Sequence, residues 1–157
     1  MATRRPAVAS GHLIREAEAI TGAALAAFLL LSLFSYTPDA PRANLGGPVG
    51  HAVAGTALRA LGIAAYLFPL DLGYLTAALL RRDAEGLGGM RLVGASLLTV
   101  SLAAMGGLAT SGRPAVHGGG WLGGFVSTAL RDLLGGPGGV LVVSVALIVA
   151  LVLATGV

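Results

Sequence analysis

The sequence predicts an all-α, polytopic membrane protein with four transmembrane helices and short interfacial amphipathic helices before the second and fourth spans. Three observations carry that prediction. Hydrophobic residues make up 55% of the 157, and the mean hydropathy is +0.86. Only 11% of residues are charged, against about 25% in a typical soluble domain, so water alone is a poor solvent for most of this surface. The apolar residues also fall into four stretches, each close to the roughly 20 residues needed to cross a bilayer core.

The first stretch runs from Ala19 to Tyr36, ending in Phe34 and Tyr36 and stopped by Thr37-Pro38-Asp39. The second covers Leu61 to Leu80 and is closed by Arg81 and Arg82. A third, Leu92 to Thr110, lies between Arg91 and Ser111-Gly112-Arg113-Pro114, and the fourth runs from Pro137 to Thr155. Residues 1–16 are expected to form a cytoplasmic N-terminal segment, and 17–157 one four-helix membrane domain. All ten basic residues are Arg, and no basic stripe alternates with aromatics as on a nucleic-acid face. The absence of Cys excludes a disulfide framework, a thiolate zinc site and a cysteine nucleophile. No cofactor is expected.

Arginines set the expected orientation, because cytoplasmic loops carry the excess of basic residues. Arg4, Arg5 and Arg15 precede the first span, and Arg81, Arg82 and Arg91 separate the second from the third. The other connections hold Arg42 with Arg59, and Arg113 with Arg131. Both termini are therefore expected in the cytoplasm of a bacterial inner membrane. Arg4-Arg5 faintly suggests an export signal, but Pro6 and Arg42 and the length of the apolar stretch favour a retained first helix.

The two outer connections share a pattern. Gly47-Pro48-Val49-Gly50 leads into Thr56-Ala57-Leu58-Arg59-Ala60-Leu61-Gly62, and Gly120-Trp121-Leu122-Gly123 leads into Thr128-Ala129-Leu130-Arg131-Asp132-Leu133-Leu134-Gly135. Leucines three or four apart let each run lay an apolar face in the interface, with its Arg toward headgroups and a closing Gly to turn the chain inward. The alternative is that these runs merely extend spans two and four. The interfacial reading is preferred, and it gives two hairpin halves of similar design.

Asp71 stands alone as an ionisable residue near the middle of a span, where a carboxylate costs about 2.5–3.5 kcal/mol on insertion scales. Either it relays protons or holds a cation, or it is neutralised by protonation or by a hydroxyl on a neighbouring helix; the second reading is preferred. Ala95, Thr99, Ala103 and Gly107 form a four-residue-spaced small stripe, suited to an oligomer contact or, preferably, to close packing inside the bundle. His12, His51 and His117 are read as solvated loop side chains rather than metal ligands. Trp121 reads as an interfacial anchor, as do Tyr66 or Tyr74 near a boundary. Gly118-Gly119-Gly120 lacks the Lys-Ser/Thr ending of a phosphate loop.

Several segments together resemble one family. Ser32-Leu33-Phe34-Ser35-Tyr36-Thr37-Pro38-Asp39 is followed by Asn44-Leu45-Gly46-Gly47-Pro48-Val49-Gly50, then Gly62-Ile63-Ala64-Ala65-Tyr66-Leu67-Phe68-Pro69-Leu70, and finally Leu151-Val152-Leu153-Ala154-Thr155-Gly156. From about Leu13 to Val157 this resembles the N-terminal four-helix membrane domain of the FtsK/SpoIIIE DNA translocases. The resemblance marks Asn44, Gly46, Gly47 and Gly50 as an outer-loop motif. It implies a non-enzymatic anchor at the division septum that meets membrane lipid, other division-site membrane proteins and, as one option, copies of itself. DNA would be handled only by the family's separate ATP-driven motor, whose chemistry these residues do not carry. Asp71 departs from the apolar stretch usual in the family after Pro-Leu. A small transporter or channel subunit using Asp71 is the alternative.

Overall fold

In the computed structural model, which describes residues 8–80, 89–110 and 118–155, five α-helices and two short 3-10 turns follow one another. No strand occurs among the described residues. Helix α1 is Val8–Phe34, and a 3-10 turn at Pro41–Ala43 leads to α2, Gly47–Leu61. A second 3-10 segment, Gly62–Tyr66, enters α3, Leu67–Leu80. Helix α4 is Gly89–Ala109 and α5 is Gly120–Thr155, broken at Gly135 where φ is 73° and ψ 171°.

Three stretches are long and apolar enough to cross a membrane: Glu16–Phe34, Gly47–Ala77 and Gly120–Thr155, with Val93–Ala109 a shorter apolar helix. Two of these stretches are not straight. Gly62 has φ 60° and ψ −135°, so α2 ends there, and its N–H donates to Leu58 O. The 3-10 segment and α3 together rise about 30 Å, and the α5 arm after Gly135 rises about 30 Å as well. Each matches the bilayer core. Four spans therefore emerge, together with two fifteen-residue outlying helical pieces, α2 and the 120–134 arm of α5.

Observed boundaries differ from the sequence expectation where backbone geometry intervenes. The first helix starts well before Ala19, since no proline lies between Val8 and Phe34. The second span begins as a 3-10 turn, its Pro69 buried in the first turn of α3, where a missing N–H is tolerated. Pro137 similarly occupies the first turn of the second arm of α5. The outlying pieces are longer than the amphipathic runs read from sequence, because each begins at the first glycine of its Gly-x-x-Gly pattern.

Packing divides the chain into two hairpin halves, α1 with α3 and α4 with α5. The first core gathers Leu33, Ala54, Leu58 and Ala65 against Tyr36, Leu61 and Tyr66. The second gathers Ala104, Leu108 and Val143 against Met105, Val126 and Leu130. Helix approach is close enough that small residues are obligatory. A Cβ on Gly94 would meet the backbone of Leu153 and Ala154, and one on Gly107 would meet the backbone of Gly123. Hydroxyls along the helices return their protons to the preceding turn, as Thr76 does to Leu72 O (2.8 Å) and Thr99 to Ala95 O (3.0 Å). That local bond removes the cost of an unpaired polar group in lipid.

Candidate functional sites at the glycine end and in the membrane cleft

At the end of the bundle where α1 stops, the Asn44 side chain ties three segments together. It is 4% exposed; its Nδ2 donates to Ser32 O (2.8 Å) and its Oδ1 accepts from Gly46 N (2.8 Å). Ser35 Oγ accepts from Leu45 N (2.9 Å). Gly46 and Gly50 then bring the start of α2 directly onto the buried Ser32 side chain, leaving no room for a Cβ at either position. The four motif residues thus meet in space. Ser32, which the sequence reading did not single out, is the surface on which they close.

The second half repeats the device. Gly119 and Gly123 press on the Ala103 carbonyl of α4 as Gly46 and Gly50 press on Ser32 of α1. Of the small stripe read from sequence, Ala103 and Gly107 lie in this contact, Thr99 is buried, and Ala95 borders a cleft on another side. The described glycines with positive φ are Gly47, Gly62, Gly120 and Gly135. Gly47 and Gly62 are fifteen positions apart, as are Gly120 and Gly135, and the second pair follows the first by seventy-three.

This spacing corrects the alignment of the two runs made from sequence. Aligned on the glycines, Gly50-Ala54-Leu58 matches Gly123-Ser127-Arg131, so Leu58 rather than Arg59 corresponds to Arg131. Leu58 is buried and Arg59 exposed. Arg131 accordingly does not reach toward headgroups as expected: its Nη2 donates to Leu108 O (2.5 Å), one of the carbonyls left open in the last turn of α4. Nor is His51 a loop histidine; it lies in α2, stacks on Tyr36 with centroids 4.8 Å apart, and its Nε2 meets Thr37 O at 3.0 Å. His12, although in α1, has no described side chain, and His117 lies outside the described residues, as do Arg81, Arg82 and Arg113.

The halves meet at two of the left-handed glycines. Ile63 N donates to Gly118 O (2.9 Å), and a Cβ on Gly120 would stand 2.5 Å from Gly62 N. Any side chain on Gly62 would collide with the Gly118 carbonyl. The Gly118–Gly120 turn is thus a structural joint. The clue in sequence was the repeated distance from Gly-x-x-Gly to the closing glycine.

Below this end, a cleft of about 630 Å³ opens between the halves, lined mainly by Leu25, Leu29, Phe68, Leu72 and Val100. Asp71, Tyr74, Ser96 and Thr99 add polar atoms to it. Asp71 is half-buried there, and no second charged side chain lines the cleft among the described residues. Trp121 is exposed in the first turn of α5 and stacks on Phe125 at 6.1 Å, while the Tyr66 hydroxyl donates to Leu33 O (3.3 Å).

Residues 11–157 match the family model for the 4TM region of DNA translocase FtsK/SpoIIIE. The chain belongs to that family. No solved structure matches the chain. In this FtsK/SpoIIIE membrane region the glycine end is held by backbone contacts, and Val49, Trp121 and Phe125 are exposed there. Such an end can position apolar and aromatic contacts. The FtsK/SpoIIIE cleft, with its one carboxylate, offers a polar spot in an apolar wall.

Proposed function

We propose that this FtsK/SpoIIIE region anchors a division-site DNA translocase in the bacterial inner membrane and presents its glycine end to other division-site membrane proteins. The supporting observation is that end itself: α2 and the first arm of α5 are framed by left-handed glycines, two of which, Gly62 and Gly120, seat against each other, and apolar and aromatic side chains are exposed on both pieces. A rigid platform with exposed aromatics suits recognition, since little side-chain order has to be lost on contact. DNA is handled by the motor of such translocases, and this region works through lipid and protein contacts without catalysis of its own. The arginine bias supports an orientation with both termini in the cytoplasm and the glycine end outside.

A fluorescently labelled chain should concentrate at the septum. Replacing both Trp121 and Phe125 by Ser should disperse it along the membrane without loss of insertion. Uniform labelling by the unmodified chain would refute the reading. Topology reporters placed after Val157 and between Arg81 and Arg91 should both report cytoplasm; an external signal at either overturns the orientation.

The cleft favours a second reading, a small transporter or channel subunit in which Asp71 handles a cation or proton. Transport coupled to protons generally requires a second polar partner across the path. The anchor is therefore preferred, and Asp71→Asn separates the two: a flux present in the unmodified chain and lost in the variant would establish transport.

A further inference from the structure

Packing between the two halves runs chiefly through α2 and the 62–66 segment, at the glycine end. Below it the cleft of about 630 Å³ has α1 and α3 on one wall and α4 on the other. Sites that hold a small organic molecule span roughly 300–1,000 Å³, and their walls are mostly apolar with a few polar groups. The cleft has that size and that make-up.

On the α3 wall, Phe68, Asp71 and Tyr74 follow one another at steps of three, so they share a face of the helix, and all of them line the cleft. Phe68 and Tyr74 are exposed and Asp71 is half-buried, so a molecule entering from lipid can reach each of them. Across the cleft on α4, the Thr99 hydroxyl donates to Ala95 O (3.0 Å), which leaves its oxygen able only to accept. An ionised carboxylate likewise accepts and does not donate.

A carboxylate at this depth in a bilayer calls for a partner. No second charged side chain lines the cleft among the described residues, so the partner of an ionised Asp71 comes from outside the chain. A small inorganic ion would surrender its hydration to a wall that is mostly hydrocarbon, at high cost. An organic cation with an apolar body has little hydration to lose, and its charge is further attracted by aromatic faces. We propose that the cleft binds a lipophilic organic monocation, its charge held at Asp71 beside Phe68 and Tyr74 and its apolar body along Leu25, Leu29 and Val100. The site requires neither flux nor a septal partner, so its failure and the failure of the anchor reading are separate results.

Tetraphenylphosphonium is the probe, measured by equilibrium dialysis against the purified chain in uncharged detergent micelles, with empty micelles as the blank. Saturable binding is expected. Asp71→Asn keeps the shape of the side chain and removes its charge, and it should weaken binding about tenfold or more, as loss of a charge-assisted contact does. Phe68→Leu keeps apolar bulk without the ring and should weaken binding about threefold. Ser96→Phe leaves the carboxylate in place and fills the cleft from an exposed position on α4; it too should weaken binding about tenfold. Helix content by circular dichroism should match the unmodified chain in all of these variants. Triphenylphosphine oxide, a neutral body of related shape, should compete poorly. Unchanged binding in any of the variants, uptake no greater than by empty micelles, or competition by the neutral compound equal to that of unlabelled cation overturns the inference. So does displacement by potassium at the probe's own concentration, which would assign the carboxylate to a small ion.

Discussion

Gly123→Ala puts the close approach of α4 and α5 to a quantitative test. A Cβ at position 123 would overlap the carbonyl oxygen of Ala103 and lie 2.6 Å from its carbonyl carbon. Both are backbone atoms of a helix, so no side chain can swing aside. Relief requires the two helices to part by roughly 1 Å, and a gap of that order forfeits about a quarter to a half of each affected dispersion contact. The expected loss is about 1–3 kcal/mol, the range for overpacking a well-filled interior. Gly73→Ala is the matched control: its Cβ meets nothing within 4 Å among the described residues, and exchanging Gly for Ala inside a helix favours folding by about 1 kcal/mol. Titration with SDS in mixed micelles, followed by far-ultraviolet circular dichroism, should move the Gly123→Ala midpoint down and leave Gly73→Ala level or higher. Equal midpoints for the two would show that backbone contact between α4 and α5 is not what holds the second half together.

Four further substitutions bear on the same framework. Gly62→Ala should be more harmful than Gly135→Ala: both incur about 1–3 kcal/mol for an alanine held at positive φ with extended ψ, but only position 62 also drives a Cβ into the Gly118 carbonyl, and thermal scans in detergent will rank them. Asn44→Ala removes a donor to Ser32 O and an acceptor for Gly46 N at a buried position, so a loss of about 1–3 kcal/mol is expected in the SDS titration, with faster proteolysis of the 37–47 segment. Asp71→Leu removes a polar group from an apolar wall; insertion efficiency in a translocation assay should be equal or better, and a drop would show that the carboxylate has a partner in the folded bundle.

Hydropathy made the spans legible because lipid demands whole apolar stretches with internally bonded backbone. The Gly-x-x-Gly patterns and Asn44 were legible as a motif too, since small residues recur where backbones touch. What the sequence concealed was register. Thr56-Ala57-Leu58-Arg59 and Thr128-Ala129-Leu130-Arg131 look alike, yet they are displaced by one residue relative to the glycines that frame them. One residue is about 100° around a helix, enough to exchange a buried leucine for an inward-turned arginine. Identity of letters suggested the wrong pairing, and backbone angles corrected it. Ser32 appeared in sequence only as one letter of a resemblance segment, because a hydroxyl that bonds to its own preceding turn, here Phe28 O at 2.7 Å, has no distinctive spacing.

The use of glycine here follows from the solvent. In water, two helices can be held by hydrophobic burial with tolerance for imperfect fit; in lipid the tails are as apolar as Leu, and only close packing and polar bonds distinguish one arrangement from another. Fixed orientation of α2 and the 120–134 arm therefore has to come from contacts that admit a single geometry. Backbone-to-backbone seating at Gly62 and Gly120 is such a contact, because a side-chain interface can shift by changing rotamers and this one cannot. The leucines left bare beside Gly135 stand where the same geometry is presented with no intrachain partner among the described residues. The chain frames the same stretch with left-handed glycines twice, and among the described residues only Gly62 and Gly120 are seated against each other.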